Sequence, residues 1–290
     1  MMNFFRKVRL KLDNLGFLRM SDKKYLDLKF LVMTGKKLNL DNPKTFNEKL
    51  QWLKLYDRNP EYIKMVDKYK VKEYVAKKIG EEYLVPTFGV YDDFDEIDFG
   101  KLPKQFVMKA THDSGTVAIC KNKKNFNRNN AKKVLQKSLR KNFYLQSREW
   151  PYKDVKPRII VEGYLGNNLN DYKLFCFNGK PEIVLVCSDR QFDLKETWFN
   201  RDFELLELVE GGHRMDASLK KPLNFSKMLE FSKELAKDIP FVRVDFYEES
   251  GKLYFGELTF YPAGGYERFD PEVWNKKMGD MINLDKVTKK

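Results

Sequence analysis

Apolar positions recur at helical spacing through the first eighty residues, and from Gln105 onward they gather into short runs separated by turn signals. In "DNPKTFNEKLQWLKLYDR", Pro43 precedes Thr45, and Glu48 follows three residues later, the spacing of a capping box. Phe46, Leu50, Leu53 and Tyr56 then fall on one face, which predicts a helix. A second helix is predicted from Glu61 to about Ile79, before Pro86 and a linker with the acidic cluster "YDDFDEID". "QFVMKA" and "TVAICK" read as strands around the small polar loop "THDSG", a hairpin with an accessible tip. A helix around 129–141 and the strand "RIIVEGYL" follow. In "DYKLFCFNGKPEIVLV", Asn178-Gly179 between two apolar runs calls for a tight β-hairpin. The helix "FSKMLEFSKELAKDI", a last hairpin in "FVRVDFYEESGKLYFGELTF" and a helix over 271–281 complete the pattern. The class is α+β, with largely antiparallel sheets in two lobes.

The last hairpin carries an acid on each arm. Side chains alternate along a strand, so Arg243, Asp245 and Tyr247 share one face, and Val242, Val244 and Phe246 the other. Folding about Gly251 brings Asp245 opposite Glu257, with the carboxylates ~5 Å apart. At an effective dielectric of 20, two such charges repel by roughly 3 kcal/mol. A shared proton, a basic partner or a metal ion has to offset that. Arg243 on the same face allows a structural ion-pair cluster, and oxygen ligands allow Mg²⁺; the hairpin by itself leaves both open.

Composition narrows the classes. The chain has 290 residues, 42% hydrophobic and 14% aromatic, which is ample for more than one core. No apolar run approaches the ~18 residues of a membrane span. The basic start "MMNFFRKVRLKLDNLGFLRM" lacks the continuous apolar core of a signal peptide. Cys120, Cys176 and Cys187 are odd in number, widely spaced and set in apolar strands, so reduced core thiols in a cytoplasmic protein are expected. A net charge of +13 suits nucleic acid, an anionic membrane or anionic small molecules. The lysines are spread through nearly every segment, and zinc-finger spacing, RNA-binding aromatics and a recognition-helix pattern are lacking, so nucleic acid is not expected. No Walker-type phosphate loop is present.

Two lysines interrupt apolar strands. Lys109 precedes the loop of Thr111, Ser114, Gly115 and Thr116, whose small side chains let backbone N–H groups approach a phosphate. A lysine snorkelling from a strand end would look the same. Lys173 stands at the entrance of "DYKLFCF", and Glu162 in "VEGYL" precedes backbone able to meet an adenine edge.

In their order and spacing, "VDKYKVKEYV", "FVMKATHDSG", "IIVEGYL", "DYKLFCFNGKP", "RVDFY" and "FGELTFYPAGG" resemble the ATP-grasp ligases. Within these, the chain is most similar to the TupA-like branch associated with teichuronopeptide and capsule synthesis, over roughly residues 40–284. The resemblance implies ATP between two antiparallel-sheet lobes: a helical region over 1–60, a first lobe over 61–155 with the phosphate loop, and a second over 156–290 with the metal-binding hairpin. It implies that Lys68 and Lys109 contact phosphates, that 111–116 covers them, and that Glu162, Tyr164 and Leu165 hold adenine. Lys173 matches a further phosphate contact, and Asp245 and Glu257 match the Mg²⁺ ligands. Many members carry Asn two residues after that glutamate, where this chain has Thr259.

The implied reaction joins a carboxylate to an amine, with ATP and Mg²⁺, through an acyl phosphate. Arg243 is the candidate for the carboxylate or acyl-phosphate contact, and His112 for a base or phosphate ligand. The branch points to a uronic-acid-containing glycan or precursor and a small amine such as an amino acid or amino alcohol. The amphipathic first twenty residues and the basic surface would suit peripheral contact with an anionic membrane. A kinase or glycosyl-transfer-pathway enzyme on the same fold is the alternative. A basic nucleic-acid-binding protein would leave Asp245 and Glu257 unexplained.

Overall fold

Helices fill the first eighty residues of the computed structural model, which describes residues 2–285 and 287 apart from 168 and 191, and not the side chains of 2 and 3. They are α1 (Met2–Asn14), α2 (Asp22–Thr34), α3 (Phe46–Tyr56), α4 (Glu61–Val66) and α5 (Val71–Ile79). The capping box forms: Thr45 Oγ1 accepts the Glu48 N–H at 3.3 Å, and Glu48 Oε2 accepts the Thr45 N–H at 3.0 Å. Phe46, Leu50 and Leu53 are buried along the predicted face. The single helix predicted over 61–79 is instead two. Asp67 ends α4, and its Oδ1 accepts the backbone N–H groups of Tyr69 at 2.9 Å and Lys70 at 3.3 Å. A short carboxylate bonding the backbone ahead of it starts a new helix, so the chain resumes as α5.

A four-stranded antiparallel sheet comes next, in the order β1–β4–β2–β3: β1 (Thr87–Tyr91), β2 (Phe106–Ala110), β3 (Val117–Cys120) and β4 (Ile159–Gly163). Between β3 and β4 run α6 (Arg128–Leu139) and the short α7 (Tyr144–Ser147). Along β2, Phe106, Met108 and Ala110 are buried while Val107 and Lys109 face the other way. Phe106, Met108, Leu135, Ile159 and Val161 form a small core between this sheet and α6. The strand expected to open the second lobe therefore belongs to the first, because β4 pairs with β2 from Ile159 to Gly163 after the excursion through α6 and α7. Conversely, Met65, Val66, Val71 and Val75 of α4 and α5 join the large core of the other lobe.

That larger lobe is built on β5 (Asp171–Phe177), β6 (Lys180–Ser188), β7 (Lys195–Asn200), β9 (Phe241–Glu249) and β10 (Lys252–Thr259), ordered β10–β9–β5–β6–β7. The short β8 (Val209–Glu210) and β11 (Phe269–Asp270) pair apart from it, and α8 (Phe225–Leu235) and α9 (Val273–Met281) pack around the sheet. Asn178 and Gly179 turn β5 into β6 with φ of 50° and 81°, the two positive values a type I′ hairpin requires. One sheet face changes character along its length. Asp171, Lys173, Arg243 and Asp245 lie at one end; Phe175, Phe177 and Phe241 lie at the other, with the Phe46 ring 4.9 Å from Phe241. The opposite face, with Leu174, Cys176, Val242 and Val244, is fully buried, and α8 lies over it, with Ser232 O 4.0 Å from the Cys176 sulfur. All three cysteines are buried and free, as expected.

Candidate active site

The charged ends of the two sheets lie on either side of Lys68, which feels both Glu257 and Glu162, and the β9–β10 hairpin decides which acids reach the groove between them. From the turn at Ser250-Gly251 the strands pair as Lys252↔Glu249 through Phe255↔Phe246. Continued without interruption, that register would set Glu257 opposite Val244 and turn it into the apolar core. The register shifts between Phe255 and Leu258, and beyond it Leu258 pairs with Val244. The extra residue is a β-bulge. It places Gly256 and Glu257 together across from Asp245 and turns Glu257 toward the groove. A Cβ on Gly256 would lie 3.0 Å from the Asp245 carbonyl oxygen, so glycine lets the strands close there.

Asp245 and Glu257 do meet, but not as a bare pair. Arg243 spans them: Nε donates to Asp245 Oδ1 at 2.7 Å and Nη2 to Asp245 Oδ2 at 2.6 Å. The same Nη2 donates to Glu257 Oε1 and to Thr259 Oγ1, both at 3.1 Å. The repulsion expected of two unscreened carboxylates is thus offset by a guanidinium. Lys173, whose register partner is Asp245, donates to its Oδ2 at 2.8 Å and pairs with Asp171 Oδ2 at 2.6 Å. Arg190 reaches the same Asp171 oxygen at 2.7 Å. Asp245 is 1% exposed and spends both oxygens on cations, whereas the Glu257 side chain is 42% exposed. Burial opposes ionisation of Glu257, but Arg243, Lys173 and Lys68 outweigh it and hold the carboxyl down at about 2. Burial and Arg243 disfavour the charged Lys173, yet Asp245 and Asp171 win and its pKa is raised.

On the opposite wall, Glu162 is buried and holds two lysines, Lys109 at 2.9 Å and Lys72 at 2.5 Å. These two lysines keep its pKa low against the cost of burial. Tyr164 and Leu165 follow, half-buried, where β4 ends. Lys68 stands between the walls: burial lowers its pKa, while Glu257, Asp113 and Glu162 work to raise it. Its Nζ donates to the Asp113 carbonyl and its N–H to Thr111 O, the latter at 3.1 Å.

The loop at 111–116 is only half accessible. Thr111 and His112 are buried, and Ser114 and Gly115 are exposed. Thr111 N donates to Arg158 O at 2.9 Å. His112 Nε2 lies 3.1 Å from the Ser138 carbonyl on α6, and its Nδ1 is buried without a partner among the described residues. His112 is buried and makes its hydrogen bond toward α6, so its expected part as a base or phosphate ligand stays a proposal. Sequence reasoning also missed Lys72, Asp171 and Arg190. Lys72 stands one helical turn beyond Lys68 and Asp171 two residues before Lys173, so periodicity could have found both. Arg190 lies beyond the end of β6 and gives no such signal.

Carboxylate and hydroxyl oxygens suit a hard cation such as Mg²⁺, which takes one or two carboxylates and leans on substrate phosphates. Glu257 Oε2, with no protein partner among the described residues, fits that role beside Thr259. Among the described residues no group of three or more metal-binding side chains converges, so phosphate oxygens would have to complete the shell.

The TupA-like ATP-grasp family matches residues 48–283, most of the chain and both walls of the groove. The chain belongs to that family. The expected ATP-grasp architecture, two antiparallel-sheet lobes with an α+β composition, is thus the one observed. Among solved structures this ATP-grasp chain is similar to D-alanine–D-alanine ligase from Helicobacter pylori, at 13% identity and TM-score 0.48, covering 82% of this chain and 69% of that one. It is similar to the Bacillus anthracis D-alanine–D-alanine ligase complexed with ATP at 17% identity and TM-score 0.41, covering 75% of this chain and 63% of that one. L-amino acid ligase from Bacillus licheniformis is similar at 11% identity and TM-score 0.45, over 69% of this chain and 44% of that one. The chain thus spans less than two thirds of the ATP-complexed Bacillus anthracis chain and less than half of the Bacillus licheniformis one. No curated protein matches the sequence. Among the described residues no helix is long and apolar enough to cross a membrane.

Proposed function

We propose that the protein is an ATP- and Mg²⁺-dependent, ADP-forming ligase that joins a carboxylate to an amine. The acid is a uronic acid of a surface or capsular glycan or its precursor, in keeping with the branch's association, and the amine is an amino acid or amino alcohol. The observation that carries this reading is the order of charges across the groove. Lys72 and Lys109 line one wall, Lys173 and Arg243 the other, Lys68 lies between them, and one ionised carboxylate, Glu257, is left open. Cations on both walls suit a polyphosphate, and an open carboxylate suits the metal that accompanies it.

A free carboxylate resists attack by an amine because it is anionic and its oxygen leaves poorly. In the proposed reaction a carboxylate oxygen attacks the γ-phosphorus, the bond to the β,γ-bridging oxygen breaks, and ADP leaves. The amine then attacks the acyl carbon, the carbon–oxygen bond to phosphate breaks, and the nitrogen releases its proton to solvent. Lys109 and Lys68 hold phosphate oxygens, and Arg243 and Lys173 stabilise charge on the transferring group. Glu257, with Asp245 at its side, would hold Mg²⁺, and the ion would supply charge neutralisation for the phosphates. Product mass spectrometry with ATP, a panel of uronates and a panel of amines tests the reading. Amide with equal ADP and phosphate is expected only when acid and amine are both present. A stable phosphorylated acid and no amide across the panel would overturn it in favour of a kinase.

A further inference from the structure

The helix α1 is held by one side only. Leu10 is buried against Tyr25 and Leu26 of α2, and buried Asp13 pairs with Arg148 and accepts the Met20 N–H at 2.7 Å. The side turned away carries Phe4 and Phe5, 66% and 64% exposed, with Val8 and Leu12 beside them. At about 100° per residue these four fall within one stripe, opposite Leu10 and Asp13. Leu15 and Phe17 continue the exposed apolar surface past the helix end, Phe17 at 75%. Lys7 and Lys11 flank the stripe on one side and Arg9 on the other. Next to it, a cavity of about 630 Å³ between α1, α2 and residues 37–41 is lined by Arg6, Arg9, Lys23, Lys24 and Lys37 against Asp27 and Asp41.

We infer that this face docks on an anionic phospholipid bilayer, with α1 lying in the interface plane. An outward apolar stripe between rows of cations is the pattern of a helix that beds its rings among acyl chains and sets its charges at headgroup level. The adjoining cationic cavity gives the surface the opposite sign to such a membrane. A carboxylate substrate attached to lipid would meet the enzyme there, but the docking does not depend on the ligase reading.

Vesicle sedimentation with purified protein tests this without any turnover. Vesicles of phosphatidylcholine with about 30% phosphatidylglycerol should bind the protein at least about 30-fold more tightly than phosphatidylcholine alone, from a few cations at the surface. Exchange of Phe4, Phe5 and Phe17 for serine should weaken that binding about 100-fold, since buried aromatic area is lost. These rings are exposed, so the melting temperature should not move. Binding to neither vesicle, or binding that ignores the triple exchange, would overturn the inference. So would a wild-type dimer in solution that the triple exchange converts to monomer, since a second copy would then be the occupant.

Discussion

Asp245→Asn and Glu257→Gln remove one charge each from the same hairpin, yet the geometry assigns them different effects. Asp245 is buried and is the counter-ion of Arg243 and Lys173. Asn there leaves Lys173 with Asp171 alone and Arg243 with Glu257 alone, so stability should fall by about 3 kcal/mol, a loss of roughly 6 °C or more in the melting midpoint. Glu257 shares only Nη2 of Arg243 and is open on one side. Its Gln variant should melt modestly below the wild type at neutral pH and lose most of the rise that MgATP gives; a full rise would remove Glu257 from the metal site. Its acid response follows from the same contacts. The folded value of about 2 lies below the ordinary 4.5, so the stability Glu257 contributes is whole above about pH 4.5 and lost as pH falls toward 2. Urea unfolding should therefore show the wild type and Glu257→Gln converging on acidification. Lys109→Ala should weaken ATP binding about tenfold with the fold intact, because Glu162 keeps Lys72 as its partner. Unchanged affinity by calorimetry would take Lys109 out of the site.

At the scale of elements, what the sequence announces and what it hides differ by range. The capping box at Thr45, the Asn178-Gly179 turn and the alternation through 106–110 are local signals, and each forms as expected. The lobe to which β4 belongs and the burial of His112 depend on partners far along the chain, β2 and Ser138, whereas the break at Asp67 is local and turns on one carboxylate capping the backbone ahead of it. Local periodicity carries no record of those partners. The opposition of Asp245 and Glu257 was legible, but for another reason than the turn. It needs the bulge at Gly256, since side-chain phase flips with every single-residue slip. Gly279 tests such packing directly. Alanine normally improves a helix by about 1 kcal/mol over glycine. In α9, however, a Cβ at 279 would lie 2.3 Å from Lys44 O and 2.7 Å from the Phe46 N at the start of α3. Gly279→Ala should therefore destabilise by about 2 kcal/mol in chemical unfolding; a gain in stability would contradict this seating of α9 on α3.

On the scale of the whole molecule, the joint at 67–70 belongs to both lobes at once. Its flanking helices, α4 and α5, are packed into the large core, while Asp67 takes Arg158 at 2.8 Å and the Lys68 N–H bonds Thr111 O. Those contacts fasten the small lobe at the inner end of the groove, leaving its outer margin, with the exposed Ser114 and Gly115, unfastened. The joint then acts as a fulcrum. A rotation about this joint would widen the groove while the Lys68 ammonium and the backbone at 111 keep their places. Amide exchange should accordingly be slow at Lys68 and Thr111 and fast at Ser114 and Gly115, and Arg158→Ala should speed the first pair without changing the second. On the proposed reading, a chain hinged in this manner would keep the Lys68 ammonium stationary while the lips swing, and a polyphosphate would be gripped there before the walls come together.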